Sequence, residues 1–514
     1  MVRDGDKRID RVFHQAAEDS PDKTHLLIPG GTAITYAETY CRAQRLAEVL
    51  VRGGIKPGDR VASMLRNSRE LVEFFVACGL CGGIGVAINT FSTQREAGAL
   101  LMDCTPSALL TSEEFLAVLS PSVLPASVGL KLLAGGATAE GWQAYDDALG
   151  EVVPPEHDVW RDPEEPALII YSSGTTGKPK GIVLSHRSII DNGLCACPVL
   201  GYNAEDRFLT LLPLFSSFGF AFDLLHAAMS RASTVLMGRF DEDCAVDLVE
   251  RFRVTFLAGV PTMFARMFDA ANLRGRDVAS LRLIDVGGGP VSLRLKKMLR
   301  DDYSVGVVES YGLTEISPVA SAQRNPESVT SSSCGEPLPG FKVRVVDADG
   351  NDLSPGQPGE LLFQSGTFML GYWNQSQETA RSLRDGWLHT GDLGRVDEHG
   401  EIHILDRTKD MIVSNGFNVY PKEIENVIAE LPEVESVAVV GRPDEIRGET
   451  VHAFIVLRAG KTLSEESVLA MCRESLSRFK VPRGISFIPE LPLTGSGKIQ
   501  RFRLRTLLEE QQLT

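Results

Sequence analysis

The chain has 514 residues and a formal charge of −16. That length exceeds what one hydrophobic core normally serves, so two or more domains are expected. The acidic composition argues against nucleic acid or an anionic membrane as the main partner, although it allows a local basic site for phosphate groups.

A signal peptide and a membrane span are not indicated. The N-terminal residues are charged and no apolar segment follows them. The longest uncharged apolar runs, 74–88 and 208–222, are shorter than the roughly 18 residues that suggest a span. Nine cysteines are scattered along the chain, and the C-x-x-C of Cys78 and Cys81 has no nearby histidine or second pair. We expect buried structural thiols in a cytoplasmic protein without integral membrane association.

Short apolar segments alternate with amphipathic helical patterns through the first 300 residues. Residues 60–65, 70–80 and 107–111 form one such strand–helix–strand series. This alternation predicts an α/β fold in which helices cover parallel sheets.

The pattern changes in the last third of the chain. From about residue 340 the sequence predicts shorter strands with glycine turns, and a compact mixture of helices and strands follows Asp406. We predict an N-terminal domain of residues 1–407 and a C-terminal domain of residues 408–514.

The segment YSSGTTGKPKG, residues 171–181, carries the strongest functional signal. Its glycines allow backbone N–H groups to point inward as an anion-binding nest. It is not a Walker A loop, because Pro179 follows Lys178 where that motif requires Ser or Thr. We predict that it binds a polyphosphate through Ser172, Ser173, Gly174, Thr175, Thr176, Gly177, Lys178 and Lys180.

Shorter segments carry weaker signals. GGGP (287–290) offers a flat backbone surface for a base, and YGLTE (311–315) offers an aromatic ring, a hydroxyl and a carboxylate suited to Mg²⁺. Asp392 lies between glycines, where it can accept ribose hydroxyls. DRTKDMI (406–412) and GSGK (495–498) supply cationic side chains. Each of these segments, taken alone, is explained equally well as a turn or as a solvated charged stretch. The occurrence of all of them in this order is not explained well by chance.

Together these segments resemble the adenylate-forming superfamily, which includes acyl-CoA synthetases, nonribosomal peptide adenylation domains and firefly luciferases. The resemblance covers essentially the whole chain, and the segments NGFNVYPKEIE and FKVPRGISFIPELPLTGSGKIQR are most similar to acyl-CoA synthetases. It implies a large N-terminal domain of layered αβ subdomains with a small β-barrel-like part. It also implies a small, mobile α+β C-terminal domain.

The resemblance implies two half-reactions in one site. A carboxylate attacks the α-phosphate of ATP to give acyl-AMP and pyrophosphate, and a thiol, usually that of coenzyme A, then displaces AMP. The implied nucleotide contacts are the 171–181 loop on the β- and γ-phosphates, Tyr311 on adenine against Gly288 and Gly289, Thr314 on the α-phosphate, Glu315 on Mg²⁺, and Asp392 with Arg407 on the ribose.

Further roles are implied for the C-terminal part. Lys498 would bridge the substrate carboxylate and ATP during adenylation. Lys409 would be the hinge about which the C-terminal domain swings, and Gly416 would then line a tunnel for the pantetheine thiol. Lys480 would meet the phosphates of coenzyme A, although an ordinary surface lysine explains it equally well.

The implied acid pocket departs from the family pattern at Ser216, where many relatives carry histidine. A serine leaves space for a bulkier acid unless another group near Ser216 replaces the histidine. No Arg or Lys lies among the other pocket positions, so a dicarboxylate is disfavoured and a hydrophobic monocarboxylate, aromatic, alicyclic or medium-chain, is expected. These positions, which core packing would also explain, are Phe218, Phe222, Val260, Leu313 and Val319.

The sequence therefore predicts an ATP-dependent acid–thiol ligase that forms an acyl-CoA and uses Mg²⁺. The alternatives are an adenylating enzyme that serves a carrier-protein phosphopantetheine, a luciferase-type oxygenase, and a non-catalytic nucleotide-binding protein. An amino acid substrate is disfavoured because Ser217 and Phe218 stand where an aspartate normally pairs the α-amine. A homodimer is compatible with the sequence.

Overall fold

The computed structural model describes residues 7–153, 161–172, 180–268, 273, 275–288, 293–326, 333–407, 410–414, 417–444, 448–476, 478, 480–494 and 499–512. Its strands are β1 (Thr24–Leu27), β2 (Ala33–Thr35), β3 (Arg60–Met64), β4 (Ile84–Ala87), β5 (Ala108–Ser112), β6 (Leu130–Ala134), β7 (Gln143–Ala144), β8 (Pro166–Ser172), β9 (Lys180–Ser185), β10 (Arg207–Leu209), β11 (Ser233–Val235), β12 (Phe256–Gly259), β13 (Leu283–Val286), β14 (Gly306–Gly312), β15 (Val319–Ala322), β16 (Glu336–Pro337), β17 (Lys342–Val346), β18 (Gly359–Gln364), β19 (Gly371–Tyr372), β20 (Leu383–Arg384), β21 (Trp387–Val396), β22 (Ile402–Arg407), β23 (Ile412–Ser414), β24 (Phe417–Val419), β25 (Val434–Asp444), β26 (Gly448–Leu457) and β27 (Gly484–Phe487).

The helices are α1 (Ile9–Asp19), α2 (Tyr36–Arg52), α3 (Arg69–Cys81), α4 (Gln94–Cys104), α5 (Tyr145–Gly150), α6 (His186–Leu200), α7 (Ser217–Gly219), α8 (His226–Met229), α9 (Glu242–Phe252), α10 (Pro261–Met267), α11 (Leu293–Tyr303), α12 (Ser376–Ser382), α13 (Pro421–Ala429), α14 (Glu465–Ser475) and α15 (Arg501–Gln512). A π-helical stretch, Phe220–Leu225, joins α7 to α8. No helix within the described ranges is long and apolar enough to cross a membrane.

Two mainly parallel sheets form the larger part of the fold. One has the order β16-β15-β14-β13-β12-β10-β11-β1-β2, and the other has the order β19-β9-β8-β4-β3-β5-β6-β7. Their inner strands are parallel. Antiparallel pairs lie at both ends of the first sheet and at the β19 end of the second, whose other edge strand, β7, is parallel to β6. Buried apolar side chains form one core that strands of both sheets share with their helices, and a second core on the first sheet. The prediction of parallel sheets covered by helices is therefore confirmed.

Local sequence signals explain where several helices begin. Thr35 and Glu38 form a reciprocal capping box at the start of α2, as do Thr93 and Glu96 at the start of α4. Ser68 accepts a backbone hydrogen bond in the first turn of α3. Such side chains satisfy N–H groups that have no partner inside the helix, so each boundary is encoded locally.

The last third of the chain forms two smaller sheets. Strands β17, β18, β21 and β20, with β22 added beside β21, make an antiparallel sheet that corresponds to the short strands predicted after residue 340. Strands β24, β23, β26 and β25, with β27 beside β26, form a sheet against which α13, α14 and α15 pack. The fold thus joins a large α/β part to a small α+β part.

The cysteines of the C-x-x-C motif lie in α3. Cys78 and Cys81 are both buried, and burial raises the pKa of each thiol, to about 11 for Cys81. A thiol held in its neutral form by burial is a poor nucleophile and a poor metal ligand. The expectation that these two thiols are buried is confirmed, whereas Cys244 is exposed.

Candidate active site

Three neighbouring parallel strands end at the same edge of the large sheet. Val260 follows β12, Gly287 follows β13, and Tyr311 and Gly312 close β14. Because carboxyl ends of parallel strands meet at one edge, residues far apart in the sequence converge there. Gly287 and Gly288, the described part of the surface predicted to contact the base, lie at this edge with the YGLTE segment.

Tyr311 and Asp392 are joined directly. The Tyr311 hydroxyl donates to Oδ2 of Asp392 over 2.6 Å, and Asp392 is 4% exposed. Asp392 lies on β21 opposite Arg407 of β22, so the backbone brings the two predicted ribose residues into register. Tyr311, predicted to contact the base, is therefore linked by a hydrogen bond and by strand pairing to Asp392 and Arg407, predicted to contact the ribose.

A tight turn carries Thr314 and Glu315 beyond β14. A Cβ atom on Gly312 would overlap the carbonyl oxygen of Pro318, so the close approach of β14 and β15 requires glycine there. The turn Thr314–Ile316 follows at once. The motif thus presents the Thr314 hydroxyl and the Glu315 carboxylate just past the strand end.

Glu315 lies within a network that reaches the phosphate loop. The Tyr372 hydroxyl donates to Oε1 of Glu315 over 3.0 Å. Burial and the Glu315 charge raise the pKa of Tyr372, so this hydroxyl stays a donor. Lys180 is ion-paired with Glu378, and its Nζ lies 5.1 Å from the centre of the Tyr372 ring.

The described ends of the phosphate loop are the two strands of a hairpin. Ser172 at the end of β8 pairs with Lys180 at the start of β9, so residues 173–179 connect two antiparallel strands. Of the predicted loop residues, Ser173, Gly174, Thr175, Thr176, Gly177 and Lys178 lie outside the described residues, as do Gly289, Lys409, Gly416 and Lys498.

The two serines of the LFSSFG segment have different roles. Ser216 donates to the carbonyl of Pro213 over 2.8 Å and accepts from the N–H of Gly219 over 3.1 Å, so its hydroxyl caps α7. Ser217 points elsewhere, and its Oγ lies 2.7 Å from Oγ1 of Thr314. Sequence reasoning singled out Ser216 and gave Ser217 no contact with the nucleotide residues.

The predicted acid-pocket residues are partly gathered by aromatic packing. The Phe218 and Phe222 rings meet edge to face with centroids 4.7 Å apart. A Cβ on Gly287 would lie 2.9 Å from the Phe218 ring, so Phe218 packs directly on the backbone after β13. Phe222, Val260 and Val319 are buried, while Phe218 and Leu313 are half-buried. These five side chains are apolar, and their assignment to an acid pocket stays a prediction.

A carboxyl group that was not predicted from the sequence lies next to these apolar side chains. Asp285, on β13, is fully buried and its Oδ1 accepts a hydrogen bond of 2.6 Å from Ser310, the residue before Tyr311. Burial, followed by the nearby charge of Glu309, raises the pKa of Asp285 to about 7. An acidic residue inside the apolar strand LIDV was the available sequence signal.

One predicted coenzyme A contact has a protein partner. Lys480 donates to Glu423 of α13 over 2.5 Å. The start of α13 is also tied to β22, because the Lys422 N–H donates to Asp406 over 3.3 Å. Lys480 therefore lies in the small α+β part near its junction with β22.

Comparison with known proteins also identifies a nucleotide-binding enzyme, and the matches cover most of the chain. The family described as "AMP-binding enzyme" matches residues 13–373, and "AMP-binding enzyme C-terminal domain" matches residues 423–498. The chain belongs to the AMP-binding enzyme family. The prediction of an adenylate-forming enzyme is confirmed.

Individual members of the family are similar over nearly their full length. An indoleacetate–CoA ligase of Aromatoleum aromaticum is 36% identical, covering 94% of this chain and 96% of its own. A feruloyl-CoA synthase of Amycolatopsis is 35% identical, covering 93% and 94%. The crystal structure of an anthranilate CoA ligase with anthranoyl-AMP has a TM-score of 0.93 at 27% identity, covering 99% and 98%.

The predicted enzyme class, an ATP-dependent, AMP-forming acid–thiol ligase, is confirmed by this family membership. In chemical terms, the described site offers a hydroxyl and a carboxylate after β14, a buried Asp392 and an adjoining apolar wall. A hydroxyl and a carboxylate suit a phosphate and a hard cation, and an apolar wall suits the hydrocarbon part of an acid.

Proposed function

We propose that this AMP-binding enzyme activates a hydrophobic, most simply aromatic, carboxylic acid as its acyl-AMP and transfers the acyl group to coenzyme A. The observation that carries the proposal is the 2.7 Å contact between Ser217 and Thr314. It joins the segment that forms the apolar wall to the residue assigned to the α-phosphate. A carboxylate held along Phe218 would therefore face the nucleotide side of the site.

The first half-reaction requires one anion to attack another. A carboxylate oxygen forms a bond to the α-phosphorus while the bond to the β-phosphate oxygen breaks, and pyrophosphate leaves. Catalysis of such a step depends on positioning and on neutralising charge. Thr314 would position the α-phosphate, and Lys498 would stabilise the charge shared by carboxylate and phosphate.

Mg²⁺ fits the residues present. The Glu315 carboxylate is a hard oxygen ligand, and its Oε1 is already oriented by the Tyr372 hydroxyl. When bound, Mg²⁺ would supply positive charge that offsets the phosphates. The hydrogen bond from Tyr372 would fix the Glu315 carboxylate and so the position at which that charge is held.

In the second half-reaction a thiol sulfur attacks the acyl carbon. The bond from that carbon to the AMP oxygen breaks, and the thiol proton passes to solvent. We assign Lys409 as the hinge and Gly416 to the thiol tunnel. The ion pair of Lys480 with Glu423 must open or be shared if Lys480 contacts the phosphates of coenzyme A.

The acid is assigned from the pocket walls and from the relatives. Phe218, Phe222, Val260, Leu313 and Val319 present no charge to pair a second carboxylate. Three of the similar enzymes are an indoleacetate–CoA ligase, a feruloyl-CoA synthase and an anthranilate CoA ligase. All three names specify aromatic acids, which makes an aromatic acid the first class to test; other relatives are named for a bicyclic propanoate and for fatty acids.

The remaining assignments concern organisation. We place the domain boundary between residues 407 and 408, which is supported by the end of β22 at Arg407 and the start of β23 at Ile412. A cytoplasmic location fits nine cysteines that are all free thiols. A homodimer and a carrier-protein acceptor stay predictions.

The proposal is tested by acid-dependent pyrophosphate release. The full chain is incubated with ATP, Mg²⁺ and phenylacetate, indole-3-acetate, cyclohexanecarboxylate, octanoate or malonate. We expect release with at least one hydrophobic acid and none with malonate. If none of the acids causes pyrophosphate release, the proposal is overturned in favour of a non-catalytic nucleotide-binding protein.

A second stage identifies the acceptor. Coenzyme A or a phosphopantetheinylated carrier protein is added with the best acid, and the thioester is detected by mass spectrometry. Rapid thioester formation with coenzyme A supports the proposal. Turnover with the carrier protein alone would reassign the enzyme to the alternative class.

A further inference from the structure

The apolar acid pocket has a polar group beneath it that the proposed function does not use. Asp285 is fully buried in β13, and Ser310 satisfies only its Oδ1. Its Oδ2 has no hydrogen-bond partner among the residues that the structure describes. A buried carboxylate oxygen without a partner carries a desolvation penalty, so a native protein normally supplies one.

The Asp285–Ser310 pair borders the pocket wall. A Cβ placed on Gly287 would lie 2.9 Å from the Phe218 ring and 3.6 Å from Oγ of Ser310. The Phe218 ring and the Ser310 hydroxyl thus meet at the same side of Gly287. Because Ser310 bonds Asp285 directly, the carboxyl group lies one hydrogen bond away from the aromatic wall.

Further buried polar atoms lie behind the second phenylalanine of the wall. Phe222 stacks at a tilt on His226, with centroids 5.0 Å apart, and His226 lies 5.9 Å from the Tyr202 ring. Within the described chain, Nδ1 of His226, the Tyr202 hydroxyl and Oδ1 of Asp223 are buried without hydrogen-bond partners. The polar region therefore continues past Phe222 and is not confined to one residue.

These groups share one electrostatic environment. Burial and then the charge of Asp285 raise the pKa of Tyr202, and the charge of Asp223 adds to the effect. Burial lowers the pKa of His226 to about 3, so its ring is neutral at ordinary pH. The region offers hydroxyl and carboxyl oxygens and a neutral imidazole, and the nearby cation, Arg282, is ion-paired with Asp206.

We propose that Asp285 and Ser310 form a polar subsite of the acid pocket that binds a hydrogen-bond donor, a hydroxyl or ring N–H, on the part of the acid remote from its carboxylate. This inference rests on the proposed function and names the class of acid more closely. The preferred substrate is an acid whose hydrocarbon part lies along Phe218 and Phe222 and ends in a donor. Oδ2 of Asp285 accepts the hydrogen bond when the carboxyl group is ionised.

The competing explanation is an internal polar cluster filled by water. Buried waters commonly satisfy such groups. The two explanations differ in what they predict for substrates, because a sealed water cluster does not distinguish acids with and without a donor. A site that hydrogen-bonds a substrate group rejects the analogue that lacks it.

The test uses pairs of acids that differ in one donor. The pairs are 4-hydroxyphenylacetate with phenylacetate, 3-(4-hydroxyphenyl)propanoate with 3-phenylpropanoate, indole-3-acetate with 1-naphthylacetate, and 8-hydroxyoctanoate with octanoate. The ratio of kcat/KM for pyrophosphate release within each pair is measured for the full chain. We expect the donor-bearing member to be preferred by about tenfold or more in at least one pair.

The variant Asp285→Val removes the acceptor and suits a strand position. We expect it to abolish the preference by lowering kcat/KM for the donor-bearing acid about 10- to 100-fold, with little change for its partner. Ser310→Ala, which removes only the hydroxyl, reduces the preference less. Ser233→Ala, which removes a hydroxyl bonded to Thr24 on the same sheet, is the matched control and keeps the wild-type ratio.

Each outcome separates the two proposals. No pyrophosphate release with any acid by the wild type means that the proposed function has failed. Release without a preference in any pair, or a preference that survives in both Asp285→Val and Ser310→Ala, overturns the subsite alone. If Asp285→Val does not fold, the ratio for Ser310→Ala decides, because a purely structural role would lower both members of a pair equally.

Discussion

Ser217 Oγ lies 2.7 Å from Thr314 Oγ1, although 97 residues separate the two in the sequence. Ser217 begins the helical segment that carries Phe218 and Phe222, while Thr314 follows the strand that carries Tyr311. The contact therefore links the acid wall to the nucleotide residues. Ser216, next to it, bonds only within its own loop among the described residues.

This difference predicts opposite effects for the two serines. Ser217→Ala removes the hydroxyl that orients Thr314, and we expect kcat for pyrophosphate release to fall about fivefold, since one hydrogen bond is worth about 1 kcal/mol. Ser216→Ala removes a helix cap and should cost about 1 kcal/mol of stability while kcat changes little. Initial rates and thermal melts of both variants check the assignment. Equal kinetic losses in both would show that the contact has no positioning role.

The hydrogen bond from Tyr311 to Asp392 predicts a nucleotide-specific defect. Tyr311→Phe keeps the ring but leaves a buried carboxylate without one of its donors. We expect KM for ATP to rise about tenfold, because hydrogen bonds to charged groups are worth more than neutral ones. KM for the acid serves as the internal control and should stay near the wild-type value. A rise in KM for the acid alone would show that Tyr311 contacts the acid and not the nucleotide.

The sequence predicted the fold, because the fold depends on local patterns, and the same kind of pattern supplied the nucleotide residues that we propose. The strand–helix alternation and the motif around Tyr311 are each readable within a few residues. The different roles of Ser216 and Ser217 were not predictable, since the local backbone decides which hydroxyl caps the helix. The Asp285–Ser310 pair was not predictable either, because it joins two strands across 25 residues and depends on which face each side chain occupies.

Glu315 is predicted to set the Mg²⁺ requirement. Glu315→Gln keeps the size of the side chain but removes its charge, and we expect the Mg²⁺ concentration for half-maximal pyrophosphate release to rise about tenfold or more. Tyr372→Phe, which removes only the donor to Oε1, should produce a smaller rise. Titrating Mg²⁺ at fixed ATP measures both. If the half-saturating Mg²⁺ concentration is unchanged in Glu315→Gln, Glu315 is not a ligand of Mg²⁺.

Asp285 is predicted to make stability depend on pH in a defined direction. Its pKa is about 7 in the folded protein, compared with an ordinary value of 3.8, so the folded state holds this proton more tightly. Its contribution to stability is complete below about pH 4 and is lost as the pH rises to about 7, by about 1.4 kcal/mol per pH unit. Asp285→Asn does not titrate, so its melting temperature relative to wild type should increase from pH 4.5 to 7 and then level off.

Thermal melts between pH 4.5 and 8.5 test this prediction. Glu205→Gln, a change at an exposed acid, is the control and should keep a constant difference from the wild type. A constant difference for Asp285→Asn as well would mean that the carboxyl ionises normally. The substrate-ratio test is separate, because it compares two acids at one pH at which the Asp285 carboxylate is ionised.

Lys498 is predicted to serve only the first half-reaction. Its ammonium group would stabilise charge shared between the attacking carboxylate and the α-phosphate, and one preorganised charged donor is typically worth about 10²–10³ in rate. We expect Lys498→Ala to lose adenylation by about that factor while it still transfers a supplied acyl-AMP to coenzyme A. Single-turnover assays of the two half-reactions measure this separately. Thioester formation from acyl-AMP contains no attack on phosphorus, so an equal loss in both assays would contradict the assigned role.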